Sequence, residues 1–313
     1  MNFLSALRSR RLILDGATGT ELNRRSVDTG LPLWSANALL NDCDANILKQ
    51  IHLDYLDAGA DIISTNTFRT HKRALAPSGN ARRALELTRR AVDVAREAIL
   101  AAAWSYPKFI AGSITTLEDC YEPGLVPPDD QLIPEHAERV DHLLQSGVDF
   151  FLVETINSIR EASVIATLAA RTGLPVVVSF VCNRDGEVLS GETLTAAADV
   201  LLPLGVSAIG VNCGPTPDLA KPLAELESAC GRDFPLIAYG NIGYADVKIG
   251  WVNTDSESPE IYCQHAIHWN ARIIGGCCGT TPEHIRRLSE QVGIHSLPDR
   301  HLQSLHRSPG LQA

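Results

Sequence analysis

Polar residues with chemical potential stand at the ends of short apolar runs in this chain, and their order suggests a shared rim. Asp15 closes Leu12-Ile13-Leu14, Asn66 lies just past Asp61-Ile62-Ile63-Ser64, Ser113 follows Phe109-Ile110-Ala111-Gly112, and Glu154 follows Phe150-Phe151-Leu152-Val153. Asn212 and Cys213 end Ala208-Ile209-Gly210-Val211, Tyr239 and Asn241 end the run from Leu236, and Cys277 and Cys278 follow Arg272-Ile273-Ile274-Gly275. Carboxylates bind cations or move protons, and thiolates are soft metal ligands. Eight cysteines in 313 residues do not suit a disulfide scaffold, which serves short secreted domains with little core. Cys43, Cys120, Cys182, Cys230 and Cys263 are scattered and read as small buried or incidental residues.

The elements that must position these groups follow from hydrophobic periodicity. With Val176-Val177-Val178-Ser179-Phe180, the apolar runs number eight, and each is followed by a loop and a helical pattern. Eight βα units predict an α/β fold, a single-domain (β/α)8 TIM-type barrel, whose usual size is about 250 residues. The barrel is expected over residues 1–293, with a loosely ordered C-terminal extension over 294–313 that lacks sustained periodicity. Ser158 with Glu161 reads as a capping box for a helix ending before Gly173, and Ser258-Pro259 and Thr281-Pro282 read as helix starts. Ile47, Leu48, Ile51 and Tyr55 form one helical stripe, placing a helix from near Asp44 to Gly59. A doubly wound open sheet would instead need a glycine-rich phosphate loop. Asp15-Gly16-Ala17-Thr18-Gly19-Thr20-Glu21 has two glycines in the wrong spacing and no P-loop lysine.

In such a barrel the carboxyl ends of the strands form the active-site face. Strands six and eight then deliver Cys213, Cys277 and Cys278 to one rim. Three thiolates suit Zn2+, which accepts a tetrahedral sulfur set at about 2.3 Å, and an open fourth position marks a catalytic rather than a structural site. Adjacent cysteines on a regular strand point to opposite faces; Gly275, Gly276 and Gly279 free the backbone to turn both sulfurs inward. Buried thiols or a redox-active vicinal pair beside an unrelated Cys213 fit the same residues. The amides of Gly16, Ala17 and Thr18 offer a small nest for a carboxylate.

Composition removes several functions. There are 27 basic and 37 acidic residues, a formal charge of −10, with no basic stripe to follow a phosphate backbone. No apolar run reaches the ~18 residues of a membrane span, and Met1 to Arg11 lacks the apolar centre of a secretory signal. The expectation is a soluble cytoplasmic protein with small-molecule substrates and neither a nucleic-acid nor a membrane partner.

The segments Leu14-Asp15-Gly16-Ala17-Thr18-Gly19-Thr20-Glu21-Leu22, Leu33-Trp34-Ser35-Ala36, Glu154-Thr155, Gly210-Val211-Asn212-Cys213-Gly214 and Gly275-Gly276-Cys277-Cys278-Gly279 together resemble the homocysteine S-methyltransferase family, over roughly residues 8 to 293. The resemblance implies a zinc-dependent barrel in which Cys213, Cys277 and Cys278 bind the metal and homocysteine fills the fourth position through its sulfur. It implies that Asp15 and Glu154 bind the acceptor's ammonium. Asn241, in Tyr239-Gly240-Asn241-Ile242-Gly243, matches an asparagine that can be the fourth ligand without substrate, although glycine stands here in place of the family's proline. No protein nucleophile is needed. Asn66 and Trp34 complete the expected substrate-binding set.

A cationic methyl donor favours aromatic faces. Trp34, Tyr121, Phe180, Tyr239 and Trp251 are the candidates, with Trp34 inside a matching motif. Betaine-using relatives carry tyrosine after the Glu-Thr pair, where Ile156 stands here, and a folate–cobalamin route needs further domains. The reading is therefore methyl transfer from a sulfonium, S-methylmethionine or S-adenosylmethionine, to homocysteine, giving methionine. Betaine as donor, a selenium acceptor, or a non-catalytic zinc- and thiol-binding homologue are the alternatives. A lyase or phosphate-handling barrel would need a Schiff-base lysine or a phosphate-gripping glycine loop after strand seven, yet Lys108 precedes strand three on the wrong rim and no strand ends in lysine.

Overall fold

Why the eight apolar runs close on one another is visible in their alternation. The computed structural model describes residues 1–246, 250–253 and 257–294. Its strands are β1 (Leu12–Ile13), β2 (Ile62–Ser64), β3 (Phe109–Ile114), β4 (Phe150–Ile156), β5 (Val176–Phe180), β6 (Ala208–Pro215), β7 (Leu236–Asn241), β8 (Gly243–Asp246), β9 (Gly250–Asn253) and β10 (Ile273–Gly276). The eight barrel strands run in the order β1-β10-β7-β6-β5-β4-β3-β2, all parallel. A parallel bridge between Leu14 and Ile62, with the Asp61 amide donating to the Ile13 carbonyl at 2.7 Å, closes the ring. The expected (β/α)8 barrel is the observed fold.

Residues at two-residue spacing go alternately inside and outside. Leu12, Leu14, Phe150, Leu152, Val177, Ala208, Ile237 and Ile273 fill the barrel, whereas Ile13, Phe151, Val153, Val178, Ile209 and Ile274 pack under the surrounding helices. Those helices are α1 (Phe3–Ser9), α2 (Thr18–Arg24), α3 (Asp42–Asp57), α4 (Lys72–Leu75), α5 (Ala84–Leu100), α6 (Asp129–Ser146), α7 (Ile159–Ala170), α8 (Leu194–Leu201), α9 (Ala220–Cys230), α10 (Pro259–Ala266) and α11 (Pro282–Ile294). Among them, none is long and apolar enough to cross a membrane.

The helix signals hold with three differences of detail. Helix α3 starts at Asp42 because Asn41 caps it, accepting from the Asp44 amide at 2.9 Å. Ser158 caps α7 as expected, but the Glu161 carboxylate faces inward and accepts from the Leu117 amide and His136 instead of completing the capping box. At α11 the imidazole of His284 accepts from the Thr281 amide. The antiparallel pair β8–β9 was not expected, since the segment lacks the β-branched runs of the barrel strands. The expected extension over 294–313 lies outside the described residues, apart from Ile294 at the end of α11.

Helix α1 plugs the end of the barrel opposite the rim that carries the polar residues. Phe3 stacks on Phe150 with centroids 3.9 Å apart and meets Phe109 edge-on at 5.7 Å. With that end sealed by apolar side chains, polar groups inside the barrel gather at the other. Phe3→Ala is expected to lower stability by about 3 kcal/mol, the usual cost of emptying an aromatic core position, read as a lower urea midpoint with an unchanged slope.

Candidate active site

Cys213 reaches the site by breaking the alternation of its own strand. Inward-facing positions on β6 run from Ala208 through Gly210 to Asn212, so the next residue would face the helices. The Cys213 backbone instead takes φ +57°, in the left-handed region, and the register between β6 and β7 shifts between Asn212 and Pro215. Thr155 does the same on β4, at φ +54°, with its own register shift. Non-glycine residues hold such conformations only where surrounding contacts over-determine them. Asn212 supplies them: its Oδ1 accepts from the Thr155 amide at 3.0 Å and from Ser179 Oγ at 2.8 Å, and its Nδ2 donates to Thr155 Oγ1 at 2.8 Å. The Asn241 Nδ2 donates to the Cys213 carbonyl at 2.8 Å.

Cys277 and Cys278 sit in a turn beyond β10, closed by the Thr280 amide donating to the Cys277 carbonyl at 3.1 Å. Gly279 has φ +86°, a conformation open to glycine at little cost. Gly276 is required for a different reason, since a Cβ there would fall 2.2 Å from Thr280 Oγ1. The three sulfurs all lie within 4.8 Å of one another, with Cys213 and Cys278 at 3.9 Å. Cys213 is buried and the other two are partly exposed, so the cluster opens on one side.

The cluster's chemistry fits a cation. Hydrogen bonding with Cys277 and Cys278, and after them with Tyr121, holds the Cys213 thiol well below its ordinary range. The same contacts with Cys213 hold Cys277 and Cys278 above theirs, with burial adding to it. The ionisation belongs to the cluster as a whole. The buried Asn241 Oδ1 has no hydrogen-bond partner, an exception among buried polar atoms. The three sulfurs are a donor set able to hold a metal ion.

Two carboxyl groups stand in the same polar layer. Glu154, on β4, accepts from Ser113 Oγ at 2.5 Å and from the Tyr239 hydroxyl at 3.0 Å. Burial pushes its pKa up to about 7 against these two hydrogen bonds. Asp15 accepts from the Ser64 amide and hydroxyl, both at 2.9 Å. Burial raises it well above the carboxylate range, and the nearby Glu154 charge adds to this. Among the described residues neither carboxyl group forms an ion pair with Lys or Arg. A site with two desolvated acids and no fixed cation favours a positively charged ligand.

The other predicted site residues are placed as follows. Ala17 is bound twice, its amide donating to Thr280 Oγ1 at 3.2 Å and its carbonyl accepting from Tyr55 at 2.9 Å; in the nest this leaves the amides of Gly16 and Thr18. Asn66 is buried and donates to the Ser35 carbonyl at 2.8 Å, holding the turn that carries Trp34. Trp34 has φ +47°, meets Phe68 edge-on at 5.5 Å, and lies so close over Gly19 that a Cβ there would be 2.3 Å from the ring. Phe180 and Tyr239 are both buried, and the Tyr239 hydroxyl is bound to Glu154. The Trp251 side chain is outside the described residues. Sequence reasoning missed Tyr121 as a partner of sulfur: its hydroxyl lies 3.1 Å from Cys213 Sγ. It also missed Ser64 and Thr280, for which no periodicity or spacing gives a signal.

Comparison with known proteins shows what the chain is similar to. Maize homocysteine S-methyltransferase 3 is 29% identical over 321 residues, covering 92% of this chain and 93% of the relative. A selenocysteine methyltransferase from Astragalus bisulcatus is 29% identical over 314 residues, covering 88% and 91%. The crystal structure of the homocysteine methyltransferase MmuM from Escherichia coli, in its metallated form, superposes with a TM-score of 0.78 at 26% identity, covering 90% of this chain and 96% of that one. The family described as homocysteine S-methyltransferase matches residues 12–292, a span that holds the three cysteines, both carboxyl groups and every barrel strand, and the chain belongs to that family.

Proposed function

We propose that this protein transfers a methyl group from a sulfonium donor, S-methylmethionine or S-adenosylmethionine, to the thiol of homocysteine, giving methionine. In this reading Cys213, Cys277 and Cys278 hold Zn2+, with Asn241 Oδ1 as the fourth ligand in the absence of substrate. The observation that carries it is the convergence of three sulfurs, within 4.8 Å, on the rim that also presents Asp15 and Glu154. A free thiol has a pKa near 8.5 and is mostly protonated at neutral pH; bound zinc supplies its ionisation.

The chain's own residues then bind and align. Asp15 and Glu154 take the acceptor's ammonium, and the amides of Gly16 and Thr18 take its carboxylate. The acceptor sulfur attacks the methyl carbon, a new carbon–sulfur bond forms, and the bond to the donor sulfur breaks with its electron pair leaving on a neutral thioether. Such a displacement needs alignment at near-attack distance more than acid–base help. Tyr121, partly exposed beside Cys213, and Trp34 offer ring faces to the donor cation, a contact worth about 0.5–2 kcal/mol. A selenol would serve by the same soft-ligand logic, and the similarity to a selenocysteine methyltransferase favours including selenols among the acceptors tested.

The decisive assay is methionine formation from homocysteine against a panel of sulfonium and betaine donors, with and without chelator. Turnover with a sulfonium and its loss on chelation are expected; no product with any donor overturns the reading. Alanine at Cys213, Cys277 or Cys278 is expected to abolish zinc retention in elemental analysis, and full retention in all three variants excludes this site.

The raised pKa of Glu154 gives a pH test whose sign is fixed. Below about pH 7 the group is neutral and attracts an ammonium weakly; above it, the carboxylate binds. Glu154→Gln is therefore expected to weaken homocysteine binding most at pH 8, with the gap to wild type narrowing toward pH 6, measured by calorimetry on zinc-loaded protein. Without ligand the sign reverses. An acid with a raised folded-state pKa binds its proton more tightly folded than unfolded, so wild type loses stability as pH rises from about 4.5 to about 7. Glu154→Gln is expected to be the more stable protein at pH 8, by about 3 kcal/mol.

A further inference from the structure

The loop between β3 and α6 carries Tyr121 to the sulfur cluster, and several contacts hold it there. At its start the Leu117 amide donates to the fully buried Glu161 carboxylate at 2.9 Å, and that carboxylate also meets His136 Nε2 at 2.7 Å. The Asp119 carbonyl accepts from Asn157 Nδ2 at 3.2 Å, and Asp119 Oδ1 accepts from the Tyr121 amide at 2.9 Å. Cys120, next in line, is buried. A loop pinned at three successive points places its tyrosine hydroxyl in a definite position, 3.1 Å from Cys213 Sγ.

Resting on the reading that the three cysteines hold a metal, we infer that Tyr121 is a positioning residue for that centre, fixing Cys213 by a hydrogen bond to its sulfur. A metal-bound thiolate carries no proton, so the phenol must be the donor in this pair. Bonds from a neutral donor to a charged acceptor are stronger than neutral ones. Cys213 is also the ligand most in need of support, since its backbone is held at φ +57°. Asn241 restrains its carbonyl and Tyr121 restrains its sulfur, from opposite ends of the residue. Removing partners of this kind commonly costs ten- to a hundredfold in metal affinity.

The test uses the full-length chain loaded with Zn2+ or Co2+ alone, comparing wild type, Tyr121→Phe and Tyr121→Ala. Zinc affinity is read by titration with a competing chelator, and the cobalt protein by its thiolate-to-metal charge-transfer absorption. Tyr121→Phe, which removes one oxygen and keeps the ring, is expected to lose about tenfold or more in zinc affinity and to shift the cobalt band, with Tyr121→Ala no worse. Wild-type affinity and spectrum in Tyr121→Phe overturn the inference, and a defect confined to Tyr121→Ala does so too, because it assigns the effect to ring packing. Wild type that takes up neither ion overturns the metal reading itself, a result distinct from the other two.

Discussion

The cost of holding acidic groups out of water is the constraint around which this protein is organised. Five acidic groups, Asp15, Glu154, Cys213, Cys277 and Cys278, meet at one end of the barrel. Among the described residues no lysine or arginine is paired with either carboxyl group. Burying charge without a partner is costly, and a group so placed shifts its pKa and stays neutral instead. The upward shifts at Asp15, Glu154, Cys277 and Cys278, against a lowered Cys213, are that response. In the proposed reading the arrangement becomes favourable when cations enter: a metal among the sulfurs, an ammonium between the carboxylates. Binding free energy is thus stored as desolvated acid, ready before any ligand arrives.

The barrel is what makes such storage affordable in structural terms. Its interior is apolar from the α1 plug upward through Phe109, Phe150, Leu152 and Ile237. In the last layer Ser113 and Tyr239 donate to Glu154, and Ser179 donates to Asn212. Asn212 has the largest share of this work. It joins β4, β5 and β6 through three hydrogen bonds and holds Thr155, one of the two left-handed residues that turn the site inward. Local strain is tolerated because the packed strands beneath it cannot relax independently.

A second tier of support lies outside the barrel. Glu161 looks from sequence like half of a capping box, yet its carboxylate is fully buried and ties α7 to α6 and to the loop after β3. That loop carries Tyr121 to the thiol cluster. Thr280 plays a matching part on the other side: its hydroxyl donates to the Cys277 carbonyl at 2.7 Å and accepts from the Ala17 amide at 3.2 Å. The cysteine turn and the Asp15–Thr18 loop are thereby one unit, although their residues are about as far apart in the chain as any two in the barrel.

Periodicity alone determined the barrel, because strands buried on both faces read as uninterrupted apolar runs and their number admits few closed arrangements. The three cysteines and both carboxyl groups were legible for the same reason: residues that end barrel strands share a rim whatever their distance in sequence. Tertiary structure decided what depends on direction and not on position. Strict alternation would turn Cys213 away from the site, and only its left-handed backbone, its carbonyl held by Asn241, turns it in. Nothing in the spacing announces that Ala17 is occupied by Thr280, that Asn66 faces Ser35, or that Tyr121 meets a sulfur. These are contacts across loops, where no repeat constrains a side chain and its partner is chosen by packing.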